Sequence, residues 1–180
     1  MFRISSNPRI LESMDLICKG LINLLQIKDY NTITITEICD SGGVARKTFY
    51  RNFDMKEDIV DYIICQKMGE ITDRINLVDE PYKTFEMFME YWRENDNLLR
   101  VLYTNNLYGL FQYRLARYVD LFRLHSTIVE KIKNLEVLEV YYYRNIATTL
   151  ATILETWSNR NFDESLAELY DIYLMLGTHT

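Results

Sequence analysis

Three observations predict an all-α fold of about nine helices for this chain. Apolar residues recur at three- and four-residue spacing along most of its length. Two prolines and six glycines in 180 residues leave long stretches uninterrupted, and where helices must begin or end, capping residues and glycines stand at the right offsets. With 48 % apolar content, such a chain can bury a substantial core.

The first helix is predicted from about Pro8 to Gln26. Ile10, Met14, Ile17, Leu21 and Leu24 repeat at helical spacing, while Glu12 and Asp15 break the apolar character and argue against a signal peptide. Thr34 followed by Glu37 is a capping-box pair, so a second helix starts there with Ile35 and Ile38 inward. Ser41-Gly42-Gly43 ends it, because glycine enters the left-handed conformation needed just past a helix end. Val44, Phe49 and Phe53 then anchor a third helix from which Arg46, Lys47, Thr48, Tyr50 and Arg51 project. A short helix, a tight turn and a donor-rich second helix outline a DNA-reading element.

A fourth helix follows from Lys56 to Ile75, with Ile59, Ile63, Ile64, Ile71 and Ile75 inward and Asp54, with Glu57 three residues on, as its expected cap. Asn76 to Pro81 reads as a break, since Pro81 suits the first turn of a new helix. The expected organisation is a three-helix helix-turn-helix domain over 1–56, a linking helix over 56–76, and a helical second domain over 77–180.

Eleven of the twenty-four aromatics fall between Tyr82 and Phe122. Tyr and Trp join an apolar body to a polar tip, which suits a pocket for a mostly apolar ligand or an ordinary core edged by water. The candidate pocket set is Phe85, Phe88, Trp92, Tyr103, Tyr108, Phe111, Tyr118 and Phe122, with Arg93, Arg114 and Arg117 able to pair an anionic group or stay solvated. The last two helices, about Glu136 to Asn159 and Asp163 to Leu176, carry apolar stripes at three and four spacing. The expected dimer surface comprises Tyr142, Ile146, Thr149, Ile153 and Trp157 on the first, beside Leu138, and Leu166, Leu169 and Tyr173 on the second. The alternative is that this hairpin closes only its own subunit's core.

Charge is split along the chain. Its net charge is −6, but residues 1–56 hold eight Lys or Arg against six Asp or Glu. The acidic excess lies in 57–180, so positive charge is concentrated where DNA would lie. Cys18, Cys39 and Cys65 are odd in number, lack metal spacing and read as reduced core thiols. Two histidines, one of them His179, and no phosphate loop or metal motif make an enzyme improbable; no cofactor or metal is expected. No run approaches the ~20 apolar residues of a membrane span, so a cytoplasmic location is expected.

Residues from about Pro8 to Ile64 resemble the DNA-binding domain of the TetR family of bacterial transcriptional regulators. The resemblance is carried by the first helix, Tyr30, Thr34-Ile35-x-x-Ile38, Gly43-Val44, Thr48-x-Tyr50-x-x-Phe53, and Lys56-Glu57 opening the fourth helix. It implies a helical homodimer that binds a double-stranded DNA operator through its N-terminal domain. It also implies a C-terminal domain for dimerisation and, usually, an effector. Thr34, Thr36, Arg46, Lys47, Thr48, Tyr50, Arg51 and Lys56 are then the expected DNA contacts. Arg46 and Lys47 suit base edges; Thr34, Tyr50 and Lys56 suit phosphates. The chain departs from the family at Ala45, where a capping Ser is common, at Lys47, where a small residue is common, and at Arg51-Asn52. A repressor released by a small molecule or a partner protein is the favoured reading. The competing one is a helical interaction adaptor that works through the acidic, aromatic second domain.

Overall fold

The computed structural model describes residues 7–75, 78, 80–119 and 136–177, excluding the side chains of 136–139 and 177. Phe122, His179, the Leu138 side chain and residues 76, 77 and 79 of the expected break lie outside what is described. Nine α-helices and one 3₁₀ turn, with no strand, are present among them. The helices are α1 (Pro8–Leu25), α2 (Ile35–Ser41), α3 (Arg46–Asn52), α4 (Lys56–Ile75), α5 (Pro81–Glu94), α6 (Asp96–Thr104), α7 (Tyr108–Tyr118), α8 (Glu136–Asn159) and α9 (Leu166–Gly177), and the 3₁₀ turn is Tyr30–Thr32. By packing, the chain divides into two compact units, Met1–Gln66 and Lys67–Thr180.

In the first unit, Asn7 caps α1 by accepting from the Arg9 amide, and Pro8 occupies the first turn, where its missing N–H costs nothing. Met14, Ile17, Cys18 and Leu21 form the buried face of α1. They meet Ile38 and Cys39 of α2 and Phe49 and Phe53 at and after α3, all 5 % exposed or less. Each large apolar side chain buried this fully contributes roughly 1.5–3 kcal/mol. Gly20 lets α1 and α2 approach closely: a Cβ there would lie 2.4 Å from the Ile38 carbonyl oxygen and 2.8 Å from the Gly42 nitrogen.

Two helix starts differ from expectation. The carboxylate at the start of α4 is that of Asp58, whose Oδ2 accepts from the Asp54 and Met55 amides at 2.9 and 3.2 Å. Asp58 reaches back over its own first turn, a geometry as open to it as forward capping is to Asp54. Helix α9 starts at Leu166 and not at Asp163. Asn161 and Phe162, both left-handed at φ 55° and 62°, make the corner after α8, and Ser165 and Glu168 then form a capping box of their own.

In the second unit α8 is central, packing against α5, α6, α7 and α9. Trp92 is fully buried between Phe88 and Phe111, with the Phe111 ring edge-on at 4.8 Å. Tyr108 stacks on Phe111 and donates its hydroxyl to the Ala151 carbonyl of α8. Arg100 of α6 donates to the Ser158 carbonyl at 3.0 Å, and Ser158 donates its hydroxyl to Asp96.

Candidate nucleic-acid interface

The turn between α2 and α3 is built by hydrogen bonds that the sequence makes easy. Val44 N–H donates to the Cys39 carbonyl at 2.9 Å and Gly43 N–H to the Asp40 carbonyl at 3.2 Å, the paired bonds of a Schellman motif. Gly43 supplies the left-handed residue at φ 65°. A Cβ there meets no neighbouring atom, so the preference for glycine is purely conformational. The chain therefore turns sharply into α3 at Ala45, which caps α3 with its backbone and offers no side-chain oxygen.

On α3, Phe49 and Asn52 face inward at 0 % and 2 % exposure, and the Asn52 side chain donates to the Thr48 carbonyl. That leaves Arg46, Lys47, Tyr50 and Arg51 exposed along the outer side, with Thr48 half-buried at its edge. Positions i, i+1, i+4 and i+5 form one stripe, and α3 contains three cations and no acid. A helix of this size, presenting forked and flexible donors on one side, fits a major groove roughly 12 Å wide.

The other expected contacts are placed differently. Thr36 is exposed in the first turn of α2. Thr34 spends its hydroxyl within the capping box, donating to Glu37 Oε2 at 2.8 Å and accepting from the Glu37 amide at 3.3 Å. Glu37 is also bonded by the Lys28 ammonium. That contact first, then the Thr34 amide and hydroxyl, hold the Glu37 carboxyl down at about 2. Lys56 is half-buried and its side chain folds back over the 3₁₀ turn. Its ammonium donates to the carbonyls of Tyr30 at 2.7 Å, Ile33 at 3.2 Å and Asn31 at 3.4 Å, and lies 4.3 Å from the centre of the Tyr30 ring. Tyr30 is 3 % exposed, and burial, with the Glu57 carboxylate beside it, pushes its phenol well above the usual range. Neither the Lys56 cradle nor the Lys28 contact has a periodic signal in the sequence, because each joins residues nine or more apart through one flexible side chain.

The second unit places its candidates mostly inside. Phe85, Phe88, Trp92 and Phe111 are fully buried, and Tyr103, Tyr108 and Tyr118 half-buried. The rings fill space against one another: Tyr103 meets Tyr108 edge-on at 4.7 Å, and Phe85 meets Tyr173 at 5.4 Å. A surface cleft of about 220 Å³ lies instead between α7 and α8, lined by Gly109, Gln112, Tyr113, Ala116, Arg144 and Thr148. Of the expected dimer residues, Ile146, Thr149, Ile153, Trp157, Leu169 and Tyr173 are buried within the single chain, and Tyr142 and Leu166 are half-buried. Their burial has a plain cause: α8 has four helical neighbours within the chain, so the stripe is already covered. Among the described residues, the large apolar side chains left exposed on this hairpin are Val140, Tyr141, Ile172, Leu174, Met175 and Leu176.

No family model matches the chain. A stretch of 74 residues, 41 % of the chain, is 28 % identical to part of YxbF of Bacillus subtilis (strain 168), described as an uncharacterized HTH-type transcriptional regulator. The match spans a fifth of that relative's length, 20 %. Two solved structures share the fold. One is the dihydroxyacetone kinase operon activator DhaS, with a TM-score of 0.56 and 19 % identity over 92 % of this chain and 93 % of that one. The other is the fatty acid degradation regulator FadR from Bacillus halodurans, with a TM-score of 0.58 and 17 % identity over 98 % of both chains. The chain thus has the all-helical fold of these transcription regulators. Among the described residues, no helix is long and apolar enough to cross a membrane.

Proposed function

We propose that this chain is a TetR-like, homodimeric, DNA-binding transcriptional regulator that reads a double-stranded operator through α3. The observation that carries the reading is the outer stripe of α3, where Arg46, Lys47, Tyr50 and Arg51 stand in solvent on a helix fixed from behind by Phe49 and Asn52. Thr36, at the start of α2, is placed to join them. Arg46 and Lys47 supply base-edge donors, while Tyr50 and Arg51 reach the backbone. We favour repression, by occlusion of a promoter. Because DhaS is named an activator, the fold leaves the sign to be measured.

Homodimerisation rests on the exposed apolar side chains of α8 and α9, above all Tyr141 at 69 % and Met175 at 73 % exposure. Thr148, Thr152 and Thr156 run at four-residue spacing along the outer side of α8, and a cleft of about 120 Å³ beside Thr152 and Thr156 reaches Ile172 and Leu176 of α9. A dimeric helix-turn-helix reader engages two half-sites about 34–36 Å apart, one turn of DNA, which a two-fold dimer would match. Control by a small-molecule effector among the aromatic rings follows from the family resemblance and requires those rings to part. Tyr141 and Met175 also suit the adaptor reading, in which they hold another protein.

The test is a fluorescence-anisotropy titration against DNA from upstream of the protein's own gene, at several salt concentrations. Arg46→Ala and Tyr50→Ala are expected to bind that DNA more weakly, Arg46→Ala by about 1–3 kcal/mol with relaxed sequence preference. In sedimentation velocity, Tyr141→Glu with Met175→Glu is expected to yield monomers. Wild-type affinity in both α3 variants would refute the assignment of the reading surface.

A further inference from the structure

We infer that Lys56 is a positioning residue for α2 and α3 and makes no phosphate contact, an inference that rests on the DNA-reading role of α3. An ammonium has three protons. Here it donates to three carbonyl oxygens, those of Tyr30, Ile33 and, at a longer 3.4 Å, Asn31, and lies 4.3 Å from the centre of the Tyr30 ring. A phosphate would have to displace one of these partners.

The carbonyls belong to the 3₁₀ turn Tyr30–Thr32 and its C-cap residue Ile33, which is 2 % exposed. The Tyr30 carbonyl also accepts from the Ile33 amide at 3.2 Å, so the ammonium is a second donor to it at the end of the turn. Immediately after them, Thr34 caps α2. Lys56, in turn, is the first residue of α4. One side chain therefore ties the residue before the helix-turn-helix to the residue after it, and fixes the two ends of the segment from which α3 projects. The lysine holds the reading helix in place by closing this segment at its base.

The experiment combines amide hydrogen exchange on the free protein with salt-dependent DNA titration of the wild type, Lys56→Met and Lys56→Arg. Lys56→Met is expected to speed exchange over residues 31–37 without DNA present. It is also expected to weaken DNA binding roughly tenfold, as loss of a charge-assisted contact does, with the logarithmic salt slope unchanged. Lys56→Arg is expected to fail to restore either, because a larger planar guanidinium does not place its donors where a compact ammonium does. A phosphate contact predicts the opposite: native exchange, a slope shallower by about 1.8 for two subunits, and full rescue by Arg. That pattern would overturn the inference. If the wild type binds no DNA, the reading of α3 fails on its own and exchange alone decides: faster exchange over 31–37 supports the tether, and unchanged exchange overturns it.

Discussion

Helix α3 and helix α8 use their side chains in opposite ways. Seven residues long, α3 has one packed side and leaves Arg46, Lys47, Tyr50 and Arg51 in solvent. Helix α8, at twenty-four residues, packs on four neighbours and buries Ile146, Leu150, Ile153, Leu154 and Trp157. The difference teaches where function is visible. On a short helix with a single buried side, the long polar side chains on the opposite side are the natural candidates for a ligand. On a helix surrounded by its own subunit, an apolar stripe reports internal packing first, and any partner surface must be sought in what remains uncovered.

The largest expected effect lies in the second unit. Trp92→Ala removes a fully buried indole flanked by Phe88 and Phe111 and should cost about 3–5 kcal/mol. Urea unfolding followed by far-ultraviolet circular dichroism reads that loss; a small change would mean the aromatic cluster is loosely packed and able to open for a ligand. In the first unit the corresponding lesion is Gly20→Ala, where the new methyl meets backbone atoms of α2 at 2.4 and 2.8 Å that no rotamer change can move. Overpacking of this kind typically costs about 1–3 kcal/mol. DNA affinity should fall with it, because α2 shifts.

Smaller effects sharpen the account of α3 itself. Ala45 caps α3 without a side-chain acceptor, so Ala45→Ser should raise stability by about 1 kcal/mol. A thermal melt is sufficient to read it, and no gain would show that the cap amides are already satisfied. The capping box should respond to acid. Because Glu37 is held at about 2 against an ordinary 4.5, its contribution is complete above pH 4.5 and is lost as pH falls towards 2. Protection of the α2 amides, taken relative to the intrinsic exchange rate at each pH, should fall between those limits in the wild type and stay constant in Glu37→Gln.

Local rules made much of this legible. Thr34 and Glu37, Gly43, and the alternation of anchors and donors from Val44 to Phe53 are short-range signals, and the extents of α4 and α8 lie close to those expected from periodicity, capping and the break before Pro81. What escaped was long-range or ambiguous in direction. The Lys56 cradle spans more than twenty residues and looks like any basic residue at a helix start. Asp58 reaches backward where Asp54 was the expected cap. The Ser165 and Glu168 box was readable, yet Asp163 offered an equally plausible start; the left-handed pair Asn161 and Phe162, held by Phe162 packing edge-on to Trp157, moved the helix start onward. The stripe of α8 was correct as a buried face, but periodicity carries no information on whose core it enters.

One photocrosslinking experiment addresses both regions at once. A benzoylphenylalanine replaces Tyr50 in one variant and Tyr141 in another, and each is irradiated with upstream DNA and the protein present. Position 50 is expected to couple to DNA and position 141 to a second copy of the chain. Coupling of position 141 to another protein, with none from position 50 to any DNA fragment, would contradict the regulator reading and identify an adaptor.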